Sequence, residues 1–182
     1  MLDIENYPII AAVKNDADFA VALSSGVQAV FLLSSDILTL SDRIKAAHKA
    51  EKLLFAHMDF VSGLSNDTAG VKYISTKGID GIISTRSNVI CAASEHGIMS
   101  VQRFFMIDSR SVDTALDSLH SSKADMVELM PGIAYKAVER ISQAIKLPVI
   151  AGGLIEHKDE IFKALSAGAS MVSTGKRELW NE

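Results

Sequence analysis

Eight short apolar runs, set between longer amphipathic stretches, constrain this chain more than any other feature. The runs are PIIAAV (8–13), VQAVFLL (27–33), KLLFAHMDF (52–60), GIIST (81–85), MSVQRFF (99–105), ADMVELM (124–130), PVIAGG (148–153) and SMVST (170–174). Most are nearly continuous in hydrophobicity, as strands buried on both faces of a parallel sheet must be. The stretches between them carry helical patterns over 16–25, 39–50, 67–77, 87–96, 109–121, 135–146 and 157–167, and a short helix is expected at 176–181. Punctuation agrees with this division. Asp67, Ser87 and Ser109 sit where an N-terminal cap or first-turn residue belongs. Gly26, Gly78, Gly97 and Gly168 each follow a helical stretch. Pro148 opens a strand, where its missing N–H costs least.

The alternation repeats itself. Gly26-Val-Gln-Ala-Val, Gly78-Ile-Asp-Gly-Ile, Lys123-Ala-Asp-Met-Val and Gly168-Ala-Ser-Met-Val share a pattern, and their first positions lie 52, 45 and 45 residues apart. Each interval holds two strand–helix units. Eight such units fill the chain, so residues 1–182 are expected to form a single compact α/β domain, a (β/α)8 TIM barrel. The alternative is a doubly wound open sheet. At 182 residues the chain is short for a barrel, so its helices and loops must be trimmed.

Composition sets limits on function. A content of 48% hydrophobic residues is that of a packed globular protein. No apolar run approaches the roughly 18 residues of a spanning helix. The opening MLDIENYP lacks the basic-then-apolar pattern of a leader, so a cytoplasmic location is expected. Cys91 is the only cysteine, which leaves no disulfide framework and no cysteine-based metal site. The net charge of −4 offers no general attraction for nucleic acid.

In such a barrel, ligands bind over the C-terminal ends of the strands. The polar residues expected there are Lys14 after the first strand, Ser34 to Asp36 after the second, and His57 with Asp59 on the third. Ser84 to Asn88 follow the fourth, with Arg86 among them. Gln102 and Arg103 lie on the fifth, Glu128 on the sixth, Gly152 and Gly153 end the seventh, and Ser173 and Thr174 end the eighth. Loops after the last two strands often cradle phosphate, because glycine lets backbone N–H groups approach an anion. Arg86 and Arg103 are candidates for direct anion contact, since guanidinium forks match phosphate oxygens. Arg103 could instead pair with Asp59 or Glu128. The two carboxylates could do acid–base work or bind hydroxyls, and His57 is read as a hydrogen-bonded interior histidine. No H-E-x-x-H, G-x-G-x-x-G or Walker loop is present, so neither metal nor cofactor is expected. Arg43, Lys45, Lys49 and Lys52 form a basic stripe at helical spacing, and Lys136 with Arg140 adds a second. Such stripes are ordinarily the wet face of a helix.

The chain resembles the glycerol-3-phosphate-responsive antiterminators, regulators of glycerol uptake operons. The likeness rests on PIIAAVKN (8–15), FLLSSDIL (31–38), HMDFVSGL (57–64), DTAGVKYI (67–74), DGIISTRSNVI (80–90), VQRFFMIDS (101–109), ELMPG (128–132), IAGGLI (150–155) and VSTGKRELW (172–180). Two positions depart from the pattern: methionine and phenylalanine flank Asp59 where an aliphatic pair is usual, and Ser34 stands where glycine is commoner. Neither is a charged rim position.

The resemblance implies a regulator, not an enzyme. It implies sn-glycerol 3-phosphate as effector and leader mRNA as partner, with self-association left open. The phosphate would meet Lys14, Arg86, Arg103 and the turns at Gly152, Gly153, Ser173 and Thr174; the hydroxyls would meet Asp59, Glu128 or Gln102. Lys45, Lys49, Lys52, Lys136 and Arg140 become the candidates for RNA contact. The competing reading is a phosphosugar isomerase, lyase or hydrolase using Asp59 and Glu128 as acid and base over the same cup. Fold alone does not separate the two.

Overall fold

The computed structural model describes residues 7–182, so the leader reading of MLDIENYP falls, but for Tyr7 and Pro8, outside the described residues. Eight parallel strands close on themselves: β1 (Ile9–Val13), β2 (Ala29–Leu32), β3 (Leu53–His57), β4 (Gly81–Ser84), β5 (Met99–Phe105), β6 (Met126–Met130), β7 (Val149–Gly152) and β8 (Met171–Thr174). Each pairs with its sequence neighbours, and β8 returns to β1 with Ile9 opposite Val172. The open sheet is thereby excluded. Seven helices follow strands one to seven: α1 (Asp16–Ser24), α2 (Leu40–Lys49), α3 (Thr68–Ser75), α4 (Ser87–Glu95), α5 (Ser109–Ser121), α6 (Tyr135–Ala144) and α7 (Lys158–Ser166). Where a short closing helix was expected there is a single 3-10 turn, Arg177–Leu179. None of the described helices is long and apolar enough to cross a membrane.

Strand alternation divides the core in two. Ile10, Ala29, Phe31, Phe55, Ile83, Val101, Met126, Ile150 and Met171 fill the lumen, while a larger set packs between strands and helices. The lumen interlocks large against small. Phe31 and Phe55 meet at 5.4 Å, and a Cβ at Gly81 would lie only 2.2 Å from the Phe55 ring.

The N-terminal end of the barrel explains the sequence repeat. Its polar third position is Asp80 in one copy and Asp125 in another. Asp80 accepts from the Leu54 N–H at 2.8 Å and pairs with His48 at 2.9 Å; Asp125 accepts from the Ser100 N–H at 2.8 Å. Each carboxylate thus pins the start of the preceding strand. Lys52 belongs to the same clamp. It lies beyond α2 and donates to the Ser25 and Val27 carbonyls at 2.7 and 2.6 Å. Its placement on an outward helical stripe is therefore corrected, and burial lowers its pKa below the usual lysine value.

Of the local expectations, the end of the third strand and the turn at Gly26 need revision, while Ser87 and Ser109 are first-turn residues as read. The third strand ends at His57 rather than running to residue 60: Met58–Phe60 form a 3-10 turn, and Val61–Ser62 then pair with Ser35–Asp36 in a separate two-stranded ribbon. The cap of α5 is Asp108, whose carboxylate accepts from the Ser111 N–H, and Ser109 sits in the first turn. Ser87 is likewise a first-turn residue, with Arg86 at the cap position. Asp67 caps α3 as read, accepting from the Gly70 N–H. Gly78, Gly97 and Gly168 take positive φ after their helices, whereas Gly26 does not; its N–H donates to Asn181. The C-terminal segment straddles the closing seam. Trp180 donates to the Thr174 carbonyl at the end of β8, and Arg177 pairs with Asp18 of α1.

Candidate functional site

A cavity of about 390 Å³ opens at the C-terminal ends of the strands. Ala12 of β1 and Lys14 after it, Leu33 after β2, Arg103 of β5 and Glu128 and Met130 of β6 line one part of it. The loops after β7 and β8 supply Gly153, Leu154, Ile155, Glu156, Gly175 and Lys176, with Ser173 at the floor.

The floor is a buried charge cluster. Arg103 Nε donates to Glu128 Oε2 at 2.6 Å, and Ser173 Oγ donates to Glu128 Oε1 at 2.6 Å. Both charged side chains are almost wholly buried. Gly152 makes room for them: a Cβ there would lie 2.3 Å from Glu128 Oε1 and 2.6 Å from Ser173 Oγ. Its part in the site is thus to leave space. Gly153, at φ +77°, turns the chain along the cavity wall, and the Gly132 N–H donates to the carbonyls of both glycines. A buried ion pair of this kind is costly to break, because either partner alone would be an uncompensated charge.

The other sequence candidates divide clearly. Lys14 is exposed on the cavity rim and has no ion-pair partner among the described residues. Lys176, which the rim reading passed over, also lines the cavity, 3.4 Å from Glu156. Thr174 turns outward: its hydroxyl donates to the Ile155 carbonyl at 2.7 Å and accepts from the Lys176 N–H at 3.1 Å, shaping the loop. Gln102 also faces outward, bonded to Ser87, Ser118 and Ser122. Its assignment to a ligand hydroxyl is corrected by strand parity, since its neighbour Arg103 takes the inward position.

Asp59 and Arg86 stand together outside the cavity lining. The Asp59 carboxylate accepts from Ser84 Oγ at 3.0 Å, the Thr85 N–H at 3.0 Å and Thr85 Oγ1 at 3.1 Å, with Arg86 Nε 3.5 Å away. Asp59 therefore ties the turn after β3 to the end of β4, and it pairs with Arg86 rather than Arg103. Glu128 lines the mouth cavity and Asp59 does not. His57 is 2% exposed, and neither ring nitrogen has a hydrogen-bond partner, so the expectation of a hydrogen-bonded interior histidine is not met. Burial chiefly, then the Arg103 charge, pushes its pKa down to about 4; Asp59 opposes the shift.

The basic stripes also divide. On α2, Lys45 and Lys49 are exposed, while Arg43 is held by Asp16 at 2.7 Å and by the Ser34 carbonyl. Lys136 and Arg140 line a second, mainly apolar groove between α5 and α6, about 620 Å³ in volume, and Arg140 pairs with Asp113 at 2.5 Å. The polar side chains lining that groove are at least partly exposed. The mouth cavity, with buried charges converging on it, is the better-built site. No group of three or more His, Cys, Asp or Glu among the described residues is placed to hold a metal ion.

Fold and site together define a (β/α)8 barrel with a cation-bearing mouth. The family model of the glycerol-3-phosphate responsive antiterminators matches residues 9–180, and the chain belongs to that family of regulatory proteins. It is 34% identical to the glycerol uptake operon antiterminator regulatory protein of Listeria monocytogenes, whose structure superposes with a TM-score of 0.93 over 98% of this chain and 97% of that one. A glycerol uptake operon antiterminator-related protein of Thermotoga maritima is also 34% identical, with a TM-score of 0.85 over 96% and 98% of the two chains. The uncharacterized protein YgcP of Escherichia coli K12 is 32% identical, covering 95% of this chain and 91% of its own.

Proposed function

We propose that this chain senses sn-glycerol 3-phosphate at its barrel mouth and, when loaded, binds the leader mRNA of glycerol-utilisation genes. One observation carries the ligand half: Lys14, without an ion-pair partner among the described residues, stands over a cavity already furnished with Arg103 and Lys176. A phosphate dianion would give Lys14 its partner, and the Gly153 and Gly175 turns bring backbone close to the same space. The ligand's phosphate is the feature that earns the binding, so glycerol alone should bind far more weakly.

Thermal denaturation tests this reading. Glycerol 3-phosphate at one hundred times its dissociation constant should add about 2.7 kcal/mol of stability. Equal melting shifts with glycerol and with its phosphate would remove the reading.

The RNA half rests on the family and on the exposed cations of α2. At a net charge of −4, binding must come from a local patch. Lys45 and Lys49 are available for it; Lys52 is not. Lys136 and Arg140 form the second candidate patch. RNA affinity should fall by roughly 0.7 log units per log unit of salt for each single-strand phosphate contact. A gel-shift titration with Lys45→Glu and Lys49→Glu together should show weaker RNA binding and unchanged ligand binding. Because linkage is reciprocal, RNA must tighten the ligand by the factor by which the ligand tightens RNA.

A further inference from the structure

Among the described residues, His57 is the one buried side chain at the mouth with two unmet hydrogen-bonding nitrogens. Its direction follows from alternation. Phe55, two residues earlier on β3, belongs to the lumen, so His57 faces the lumen at the C-terminal end. On the adjacent strand, Leu32 pairs with Ala56, which sets Leu33 level with His57; Leu33 lines the cavity. Arg103 also lines the cavity, and its charge acts on the imidazole. His57 therefore stands one strand beyond the cavity wall.

What surrounds the ring leaves its nitrogens unused. Phe60 stacks on its face, with centroids 4.8 Å apart and planes 23° apart. Ring nitrogens bond in the plane of the ring, so this contact satisfies neither of them. Asp59 Oδ2 is 3.8 Å from Nε2, beyond hydrogen-bond reach, and already accepts from Thr85. Buried polar groups in folded proteins nearly always have partners, so two unmet nitrogens on one ring call for an explanation. Phe60, which covers the ring face, is itself 62% exposed.

The missing partner has a defined chemistry. A neutral imidazole offers one N–H donor and one lone pair. Phosphate dianion and carboxylate oxygens only accept, so they would use half of it. A hydroxyl both donates and accepts, and a pair of neighbouring hydroxyls could engage both nitrogens. Lys14 follows β1, two strands round the ring from His57, Lys176 stands in the loop after β8, and Arg103 is on β5, two strands the other way. The mouth thus holds a neutral donor–acceptor between strands that carry cations on either side.

We infer that His57 reads the hydroxyl end of the bound phosphate ester and so determines specificity for a phosphorylated polyol over a phosphorylated alkyl chain. This rests on the reading of the mouth as a phosphate-ester site. Its pKa near 4 keeps the ring neutral, and so bifunctional, at neutral pH.

Isothermal titration calorimetry on three proteins with two ligands tests it. Wild type should bind sn-glycerol 3-phosphate about 10–100-fold more tightly than n-propyl phosphate, which lacks both hydroxyls. His57→Phe keeps the shape and the stacking but removes both nitrogens. It should bring glycerol 3-phosphate to about the affinity of propyl phosphate, and leave propyl phosphate within about twofold of wild type. His57→Gln, which keeps a donor and an acceptor, should recover part of the loss; it also serves if the phenylalanine variant fails to fold. Unchanged glycerol 3-phosphate binding by the variants would mean that the nitrogens bond only water, and the inference falls. Equal weakening of both ligands would show that His57 merely shapes the mouth, which also overturns it. If wild type binds the two esters equally well, this inference alone fails; if it binds neither, the mouth reading fails and takes this inference with it.

Discussion

The two ends of the barrel use polar side chains in opposite ways. At the N-terminal end, Lys52 terminates on the backbone of the loop before β2, and Asp80 and Asp125 each terminate on the backbone of a neighbouring strand. At the C-terminal end most polar groups are paired as well, but Lys14 has no ion-pair partner and His57 has no hydrogen-bond partner among the described residues. A side chain that completes the fold has no capacity left for a ligand. His57 is set apart from equally polar neighbours such as Asp59 and Thr174 by its unmet nitrogens, and Lys14 by its place on the cavity wall without an ion-pair partner among the described residues.

The largest test of that division lies in the floor of the mouth. Glu128→Ala should leave Arg103 buried without its carboxylate and cost about 3–5 kcal/mol in chemical denaturation. A loss under 1 kcal/mol would place Glu128 with the ligand groups instead. The second test is pH. His57 is held neutral in the fold, with a pKa near 4 against an ordinary 6.5. Between those values the unfolded chain binds more protons, so stability is full above 6.5 and falls as pH drops toward 4. The slope from this one group approaches about 1.4 kcal/mol per pH unit. Subtracting the profile of His57→Phe from that of wild type isolates it from the carboxylates, and parallel profiles would contradict the burial argument.

Next in size is the N-terminal clamp. Asp125→Ala strands the Ser100 N–H and should cost about 1–2 kcal/mol while leaving ligand affinity unchanged. Any loss of ligand affinity beyond that expected from stability would blur the two ends. The smallest stability effect belongs to Lys14→Ala. Denaturation should move by less than about 0.5 kcal/mol, as for other exposed positions, while glycerol 3-phosphate binding weakens about tenfold, as loss of a charge-assisted contact implies.

The barrel itself was legible because apolar periodicity and strand count depend on burial, which is written locally. The repeat was legible too, but its cause was not: that Asp80 and Asp125 cap the preceding strand depends on register between segments more than twenty residues apart. The site was legible by address rather than by role. Lys14, Arg103, Glu128, Gly153 and Ser173 were placed at the mouth correctly because inward parity follows from the strand pattern. Asp59 was misjudged because a strand read through residue 60 hides the turn at Met58–Phe60, and that turn sends its carboxylate to Ser84 and Thr85. Thr174 and Gln102 fail for a different reason: one step along a strand reverses the direction of a side chain. Lys176 could have been found by following the backbone one residue past Gly175. That the buried His57 ring has neighbours but no hydrogen-bond partner is a matter of three-dimensional placement, and no residue pattern displays it.

The way the barrel closes bears on how it forms. The first and last strands are partners, so the ring cannot be completed until nearly the whole chain is present, and that contact is the longest loop the chain must close. Trp180 is the protein's sole tryptophan, is 1% exposed, and is bonded to the end of β8 beside that seam. Nature has thus put a single intrinsic fluorophore at the last joint to be made. Its emission during refolding reports the completion of the ring, separately from the earlier gain of helix seen by circular dichroism, without any label being added.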